Sequence, residues 1–160
     1  MIDARIDKYE VFKLQNENDS YMVVSGVPLA VGKELGDAHA LEIAMMALDI
    51  MNGASKFIVP HKPTKHLNLR IGIHSGSAVG GIQKVGDSMP RYRMFGNALE
   101  VASRLTQLGE PMKIHISAEN KTLLDSFGFR TEYRGLMETQ SKLQPRVDTH
   151  WLLGREGGDL

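Results

Sequence analysis

No cysteine occurs in the chain, so disulfides and thiolate metal sites are excluded and folding rests on packing alone. The lack of Cys fits a reducing compartment. Net charge is also missing, because Lys+Arg 19 are matched by Asp+Glu 19. No overall field gathers phosphate backbones or anionic lipid heads, and nucleic acid is not an expected partner. No apolar run approaches the ~20 residues a membrane-spanning helix needs. Residues 1–10 carry charges throughout instead of a signal-peptide core, so no membrane contact by this segment is expected. Repeats and low-complexity stretches are absent as well. What remains is a 160-residue chain that is 42% hydrophobic, long enough for one domain with its own core and short for two.

Two strand-like runs, Val11 to Leu14 and Tyr21 to Ser25, flank the turn formers Gln15 to Ser20 and predict a β-hairpin. Asp37 is placed as an N-cap. Leu41, Ala44, Met45, Leu48 and Met51 then recur at helical spacing until Asn52-Gly53, which is expected to stop the helix. Met45, Met46 and Met51 read as core filling. Leu67, Leu69, Ile71 and Ile73 alternate with Asn68, Arg70, Gly72 and His74, the period of a half-buried strand. His74 reads as a sheet residue. Gly76 to Gly81 is expected to be a flexible turn, with Tyr92 to Phe95 an edge element. Asn97 is placed as the cap of a second helix whose buried stripe is Leu99, Ala102, Leu105 and Leu108. An alternating Met112 to Ile116, a helix capped by Ser117, and strands over 129–134 and 147–153 complete an α+β order, a sheet covered by helices.

The segments Leu69-Arg70-Ile71-Gly72-Ile73-His74-Ser75-Gly76, Met89-Pro90-Arg91-Tyr92-Arg93-Met94-Phe95-Gly96-Asn97 and Ala102-Ser103-Arg104 resemble the catalytic domain of guanylate cyclases. Tyr21 to Gly26, Glu42-Ile43-Ala44, Lys113 to Ser117, Arg134-Gly135 and Thr149 to Gly154 carry the same resemblance, which is closest to receptor-type members. It implies the class III nucleotide cyclase fold, a ferredoxin-like antiparallel sheet covered by helices. Residues 1–154 would form the domain and 155–160 a tail, with the family's opening strand and helix falling before Met1. It further implies a head-to-tail dimer, homodimeric or heterodimeric, with sites for GTP or another nucleoside triphosphate at the interface. There two magnesium or manganese ions bridge the phosphates, the ribose 3′-hydroxyl attacks the α-phosphorus and pyrophosphate leaves. Such a domain is cytoplasmic, and the receptor-type resemblance implies a single-span membrane receptor as the parent.

Several positions that carry the family's chemistry hold other residues here. The second metal-binding Asp aligns with Asp19, which reads equally well as a turn residue, and the preceding family glycine is Asn18. The guanine-reading Glu aligns with Gln15, which offers one acceptor and a competing donor instead of two acceptors. The base-selecting Cys aligns with Arg93. The ribose-positioning Asn aligns with Glu100, whose carboxylate repels a triphosphate, and the transition-state Arg with Arg104. Glu100 and Arg104 have the i,i+4 spacing of a helical ion pair, and that pair is the expected arrangement. In the family's Lys-Gly-Lys-Gly stretch this chain keeps Lys142 as a phosphate ligand, although a lone surface Lys is more often solvated. The resemblance implies conversion of GTP to cyclic GMP with impaired activity. The alternatives are a catalytically silent, dimerising or regulatory cyclase-like partner, and a module that binds nucleotide without reacting.

Overall fold

The computed structural model describes residues 2–17, 20–26, 36–60, 66–84, 86 and 89–157. The centre is a four-stranded sheet in the order β3-β6-β8-β7. Its strands are β3 (Arg70–Ile73), β6 (Lys113–Ser117), β7 (Phe129–Glu138) and β8 (Arg146–Arg155). β8 pairs antiparallel with β6 (Ile114 opposite Leu152) and with β7 (Glu138 opposite Arg146). β3 joins β6 in parallel, with Gly72 opposite His115, so one parallel pair completes an otherwise antiparallel sheet.

Strand alternation distributes the core over both faces. Ile114, Ile116 and Leu152 pack with Ala40, Ala44, Ala47 and Leu48 of α2 (Ala38–Ser55) and Leu124 of α4 (Ala118–Asp125). His115 points the other way, where its Nδ1–H donates to the Leu105 carbonyl at 2.8 Å. That face carries α3 (Asn97–Gln107), whose Val101 and Leu105 pack with Met137 and Val147. β3 and α3 approach so closely that a Cβ on Gly72 would lie 2.5 Å from the Thr106 amide nitrogen and 2.7 Å from the Ala102 carbonyl. Only glycine fits there, and this contact sets the position of the helix that carries Glu100 and Arg104.

Two hairpins complete the fold. β1 (Phe12–Glu17) pairs with β2 (Ser20–Val24), and β4 (Val79–Gln83) with β5 (Arg91–Phe95). Phe12 meets Tyr92 edge to face, with ring centroids 5.7 Å apart, and this contact links the hairpins.

The elements differ from the sequence expectation at specific places. The first hairpin's strands run into the expected turn, because Glu17 already pairs with Ser20. A bulge between Lys13 and Gln15 brings Gln15 opposite Met22. The helix from Ala38 passes Asn52-Gly53 and ends at Ser55; Asp37 occupies the cap position without making a side-chain capping bond. Gly53 is buried, and a Cβ there would collide with the Arg5 guanidinium, which ion-pairs with Asp49. The glycine is therefore a slot for Arg5 and not a stop. Arg5 belongs to α1 (Ile2–Ile6), a short helix the charged opening concealed; Ile6 packs on Met46 and Ile50. The strand expected from Leu67 is regular only over Arg70–Ile73, and Gly80-Gly81, expected as a turn, lies within β4. Met46 is buried, with Met45 and Met51 partly buried against the core, as expected of core filling. Ser117 does cap α4, accepting from the Asn120 amide at 3.4 Å.

Candidate functional site

The residues singled out from the sequence fall on two neighbouring parts of the fold. Gln15 stands on β1 and Arg93 on β5, the hairpins joined by the Phe12–Tyr92 contact. Arg93 lies opposite Gly81, is exposed, and has no partner among the described residues. Asp19 lies outside the described residues. Glu100 and Arg104 stand on α3 and Lys142 on the loop between β7 and β8.

α3 begins after Gly96. Asn97 is its first residue and not its cap, and its side chain is used across the fold. The buried stripe is Val101 and Leu105 with Leu108 packed beside it; of the expected stripe Leu105 and Leu108 hold, while Leu99 and Ala102 are half-buried beside the cavity. Asn97, Glu100 and Arg104, at i, i+3 and i+7, therefore share one face.

The expected Glu100–Arg104 ion pair does not form. Arg104 instead donates through Nε to the Glu138 carbonyl at 3.5 Å and through a terminal nitrogen to Gln107 Oε1 at 3.3 Å. The reason is tertiary: the end of β7 offers a backbone acceptor beside α3, and an exposed i,i+4 pair is worth only about 0.3–0.5 kcal/mol. Both acceptors are uncharged, so the guanidinium charge is not neutralised, and Glu100 is exposed with no partner among the described residues.

The loop carrying Lys142 is closed on itself. The Thr139 amide donates to the Pro145 carbonyl at 2.9 Å, the Thr139 hydroxyl donates to the Gln144 carbonyl, and the Leu143 amide donates to Ser141 Oγ at 3.2 Å. Ser141 Oγ donates to Asn97 Oδ1, and Asn97 Nδ2 donates to Gln144 Oε1 at 3.0 Å. Ser141 is buried while Lys142 and Leu143 are exposed. Asn97 was expected as a helix cap, and Ser141 and Gln144 carried no expectation. Asn at a helix start reads as an ordinary cap, and the only signal of a fixed loop was Gln144-Pro145.

Beside the start of α3 a cavity of about 150 Å³ opens between β2, α2 and the chain leaving β3. Val24, His39, Met94, Leu99 and Asn120 contribute to its walls, as does His74. His74 Nδ1 meets Ser117 Oγ at 2.8 Å. Burial holds the His74 pKa below the ordinary histidine range, with nearby Glu119 partly opposing the shift, so the ring is neutral near pH 7. Ser75 Oγ donates to Asn120 Oδ1 at 2.5 Å.

A divalent ion needs several oxygen ligands in near-octahedral array. Among the described residues no group of three or more His, Asp or Glu is placed to hold one. The described side chains alone do not fit the family's two metal ions.

This sheet, with helices on both faces and the hairpins beside it, is the architecture of class III nucleotide cyclase catalytic domains. The family model described as "Adenylate and Guanylate cyclase catalytic domain" matches residues 1–154, and the chain belongs to that family. Atrial natriuretic peptide receptor 2 of Homo sapiens is 44% identical over 157 residues, 98% of this chain and 14% of the receptor. The speract receptor of Strongylocentrotus purpuratus is 44% identical over 157 residues, 98% of this chain and 13% of that protein. The chain thus spans about a seventh of these relatives' length. Among solved structures, the guanylate cyclase domain of RhGC from Catenaria anguillulae in complex with GTP superposes with a TM-score of 0.81 at 29% identity, covering 97% of this chain and 79% of that one. No helix among the described residues is long and apolar enough to cross a membrane.

Proposed function

We propose that this chain is a guanylate cyclase-type domain that binds a nucleoside triphosphate, GTP foremost, in a site shared with a second cyclase domain. It converts GTP to cyclic GMP and pyrophosphate at a reduced rate, within cyclic-nucleotide signalling, as the cytoplasmic part of a receptor. The reading rests on the likeness to receptor guanylate cyclases and to a domain solved with GTP. One observation carries it: Arg104 shares a helix face with Glu100 and with the anchor of the Lys142 loop, and among the described residues its charge is met by uncharged acceptors. An un-neutralised cation on that face is what a departing pyrophosphate requires.

The reduction in rate follows from three residues. Glu100 brings negative charge toward the phosphates, Gln15 offers the guanine edge a donor where an acceptor is wanted, and Arg93 replaces the base-selecting Cys. A buried mismatch with the base costs about 1–3 kcal/mol. Magnesium or manganese would supply charge neutralisation when bound, and the described residues leave those ligands to Asp19, to further chain or to the partner.

A second reading is a silent partner that dimerises with a competent domain. The β4–β5 hairpin favours it, because Val79, Ile82 and Phe95 are 73%, 77% and 61% exposed, an apolar surface suited to a partner. Reversion separates the two readings. Introducing Glu100→Asn and Gln15→Glu together should raise cyclic GMP formation by roughly tenfold or more, the effect of removing about 1.4 kcal/mol from the barrier. No gain in a preparation paired with a competent domain supports the silent partner.

A further inference from the structure

We propose that Asn97 is a positioning residue for Lys142: its carboxamide fixes the loop 139–145 against α3 and so aims Lys142 at the phosphates of a bound triphosphate. The proposal rests on the phosphate reading of Lys142 given above and adds the device that makes a single exposed Lys useful there.

The hydrogen bonds around Asn97 run in one direction. Glu119 is exposed in the first turn of α4, and its carboxylate only accepts. Gln144 Nε2 donates to it, which turns Gln144 Oε1 toward α3. Asn97 Nδ2 donates to that oxygen at 3.0 Å, which leaves Asn97 Oδ1 to accept from Ser141 Oγ. Ser141 Oγ in turn accepts the Leu143 amide at 3.2 Å. A carboxylate at one end thus decides the orientation of every group up to the residues flanking Lys142.

Position 97 must donate one way and accept the other, which a carboxamide does and a carboxylate does not. Asp at 97 would face Gln144 Oε1 with an acceptor, and Gln144 would have to turn and abandon Glu119. Arg104 holds the end of β7, just before the loop, through the Glu138 carbonyl, so one face of α3 grips the segment at two points. A free Lys on an unrestrained loop loses side-chain and backbone entropy on binding; here the backbone part of that cost is met in advance by bonds already present.

The test uses the full chain with inorganic tripolyphosphate as the probe, guanosine as the probe without phosphate, and amide hydrogen exchange as the reading of the loop. Lys142→Ala should weaken tripolyphosphate binding. Asn97→Asp should speed exchange at the Ser141 and Leu143 amides and weaken tripolyphosphate binding roughly fivefold, as expected for one lost side-chain hydrogen bond, with guanosine binding unchanged. The double variant should bind no more weakly than Lys142→Ala alone, because Asn97 acts through Lys142. Ser141→Ala, which cuts the other arm, should move both readings in the same direction and serves if Asn97→Asp fails to fold. Additive losses in the double variant, or an Asn97→Asp chain with unchanged tripolyphosphate affinity beside a weakened Lys142→Ala, overturn the positioning role while leaving the phosphate reading standing. An unaffected Lys142→Ala overturns both.

Discussion

β6 and β4 are strands of equal length with opposite surroundings. In β6 every residue from Ile114 to Ser117 is buried, between α2 and α4 on one side and α3 on the other; in β4 every residue from Val79 to Gln83 is exposed. The four-stranded sheet is held by its own core. The β4–β5 hairpin, which carries Arg93, is held by one ladder and by the Phe12–Tyr92 contact. Stability therefore resides in the sheet and in α3, which leans on it. The β4–β5 hairpin buries little. Substitutions in the two regions should separate into effects on folding and effects on association and activity.

The largest effect is expected in the sheet region. Leu105 is fully buried between α3 and Met137 and Val147. Leu105→Ala should cost about 2–5 kcal/mol by urea unfolding, a large share of a domain's whole stability. Gly72→Val, which pushes a side chain into the α3 backbone, should be at least as damaging. A variant at either site that unfolds like the parent would mean α3 is not seated on the sheet as described.

Next in size is Glu100→Asn. It should leave the urea midpoint nearly unchanged, because Glu100 has no partner among the described residues, and should raise cyclic GMP formation roughly tenfold, equivalent to about 1.4 kcal/mol. Loss of stability instead would show that Glu100 has a structural role.

Acid should unfold the chain through the sheet. His115 is fully buried, donates from Nδ1 to Leu105, and leaves Nε2 buried without a partner. Burial lowers its pKa, with the Arg134 charge adding to that and the Leu105 bond and Glu110 opposing it. His74 and His150 are also held low, chiefly by burial. The unfolded chain binds protons at these groups more readily, so stability is full above the ordinary histidine pKa of about 6.5 and falls as pH drops below it. Thermal unfolding midpoints should be level from pH 8 to 7 and decline toward pH 5, less steeply in His115→Gln. A midpoint indifferent to pH in that range would contradict the burial of these rings.

The smallest effect on folding is expected at the hairpin. Ile82→Ser should change stability by no more than about 0.5 kcal/mol, as surface substitutions do, and should weaken self-association measured by sedimentation. A stability loss comparable to Leu105→Ala would erase the distinction between the two regions.

The sheet region was also the more legible in sequence. The alternation in Leu69–Ile73 and Lys113–Ile116 and the caps at Asp37 and Ser117 placed its elements, although β6 is buried on both faces. Glycine misled in both regions. Gly53 admits Arg5, and Gly80-Gly81 lies in a ladder that needs no side chains, whereas composition alone reads glycine as a break. Resemblance to the family singled out Glu100, Arg104 and Lys142, yet the local spacing rule predicted an ion pair that does not form. The winning contacts, Arg104 to Glu138 and Asn97 to Ser141 and Gln144, join residues more than thirty positions apart. Such pairings are decided by how α3 sits on the sheet, and no local pattern encodes them.

The most direct measurement is cyclic nucleotide formation from GTP and from ATP, with manganese, by this chain alone and mixed with a competent guanylate cyclase domain. The account predicts cyclic GMP at a low rate from the chain alone, and an altered rate in the mixture that depends on Arg104. Rapid cyclic GMP formation by the chain alone would contradict the impairment assigned to Gln15, Arg93 and Glu100, and a mixture that behaves as the sum of its parts would contradict the shared site.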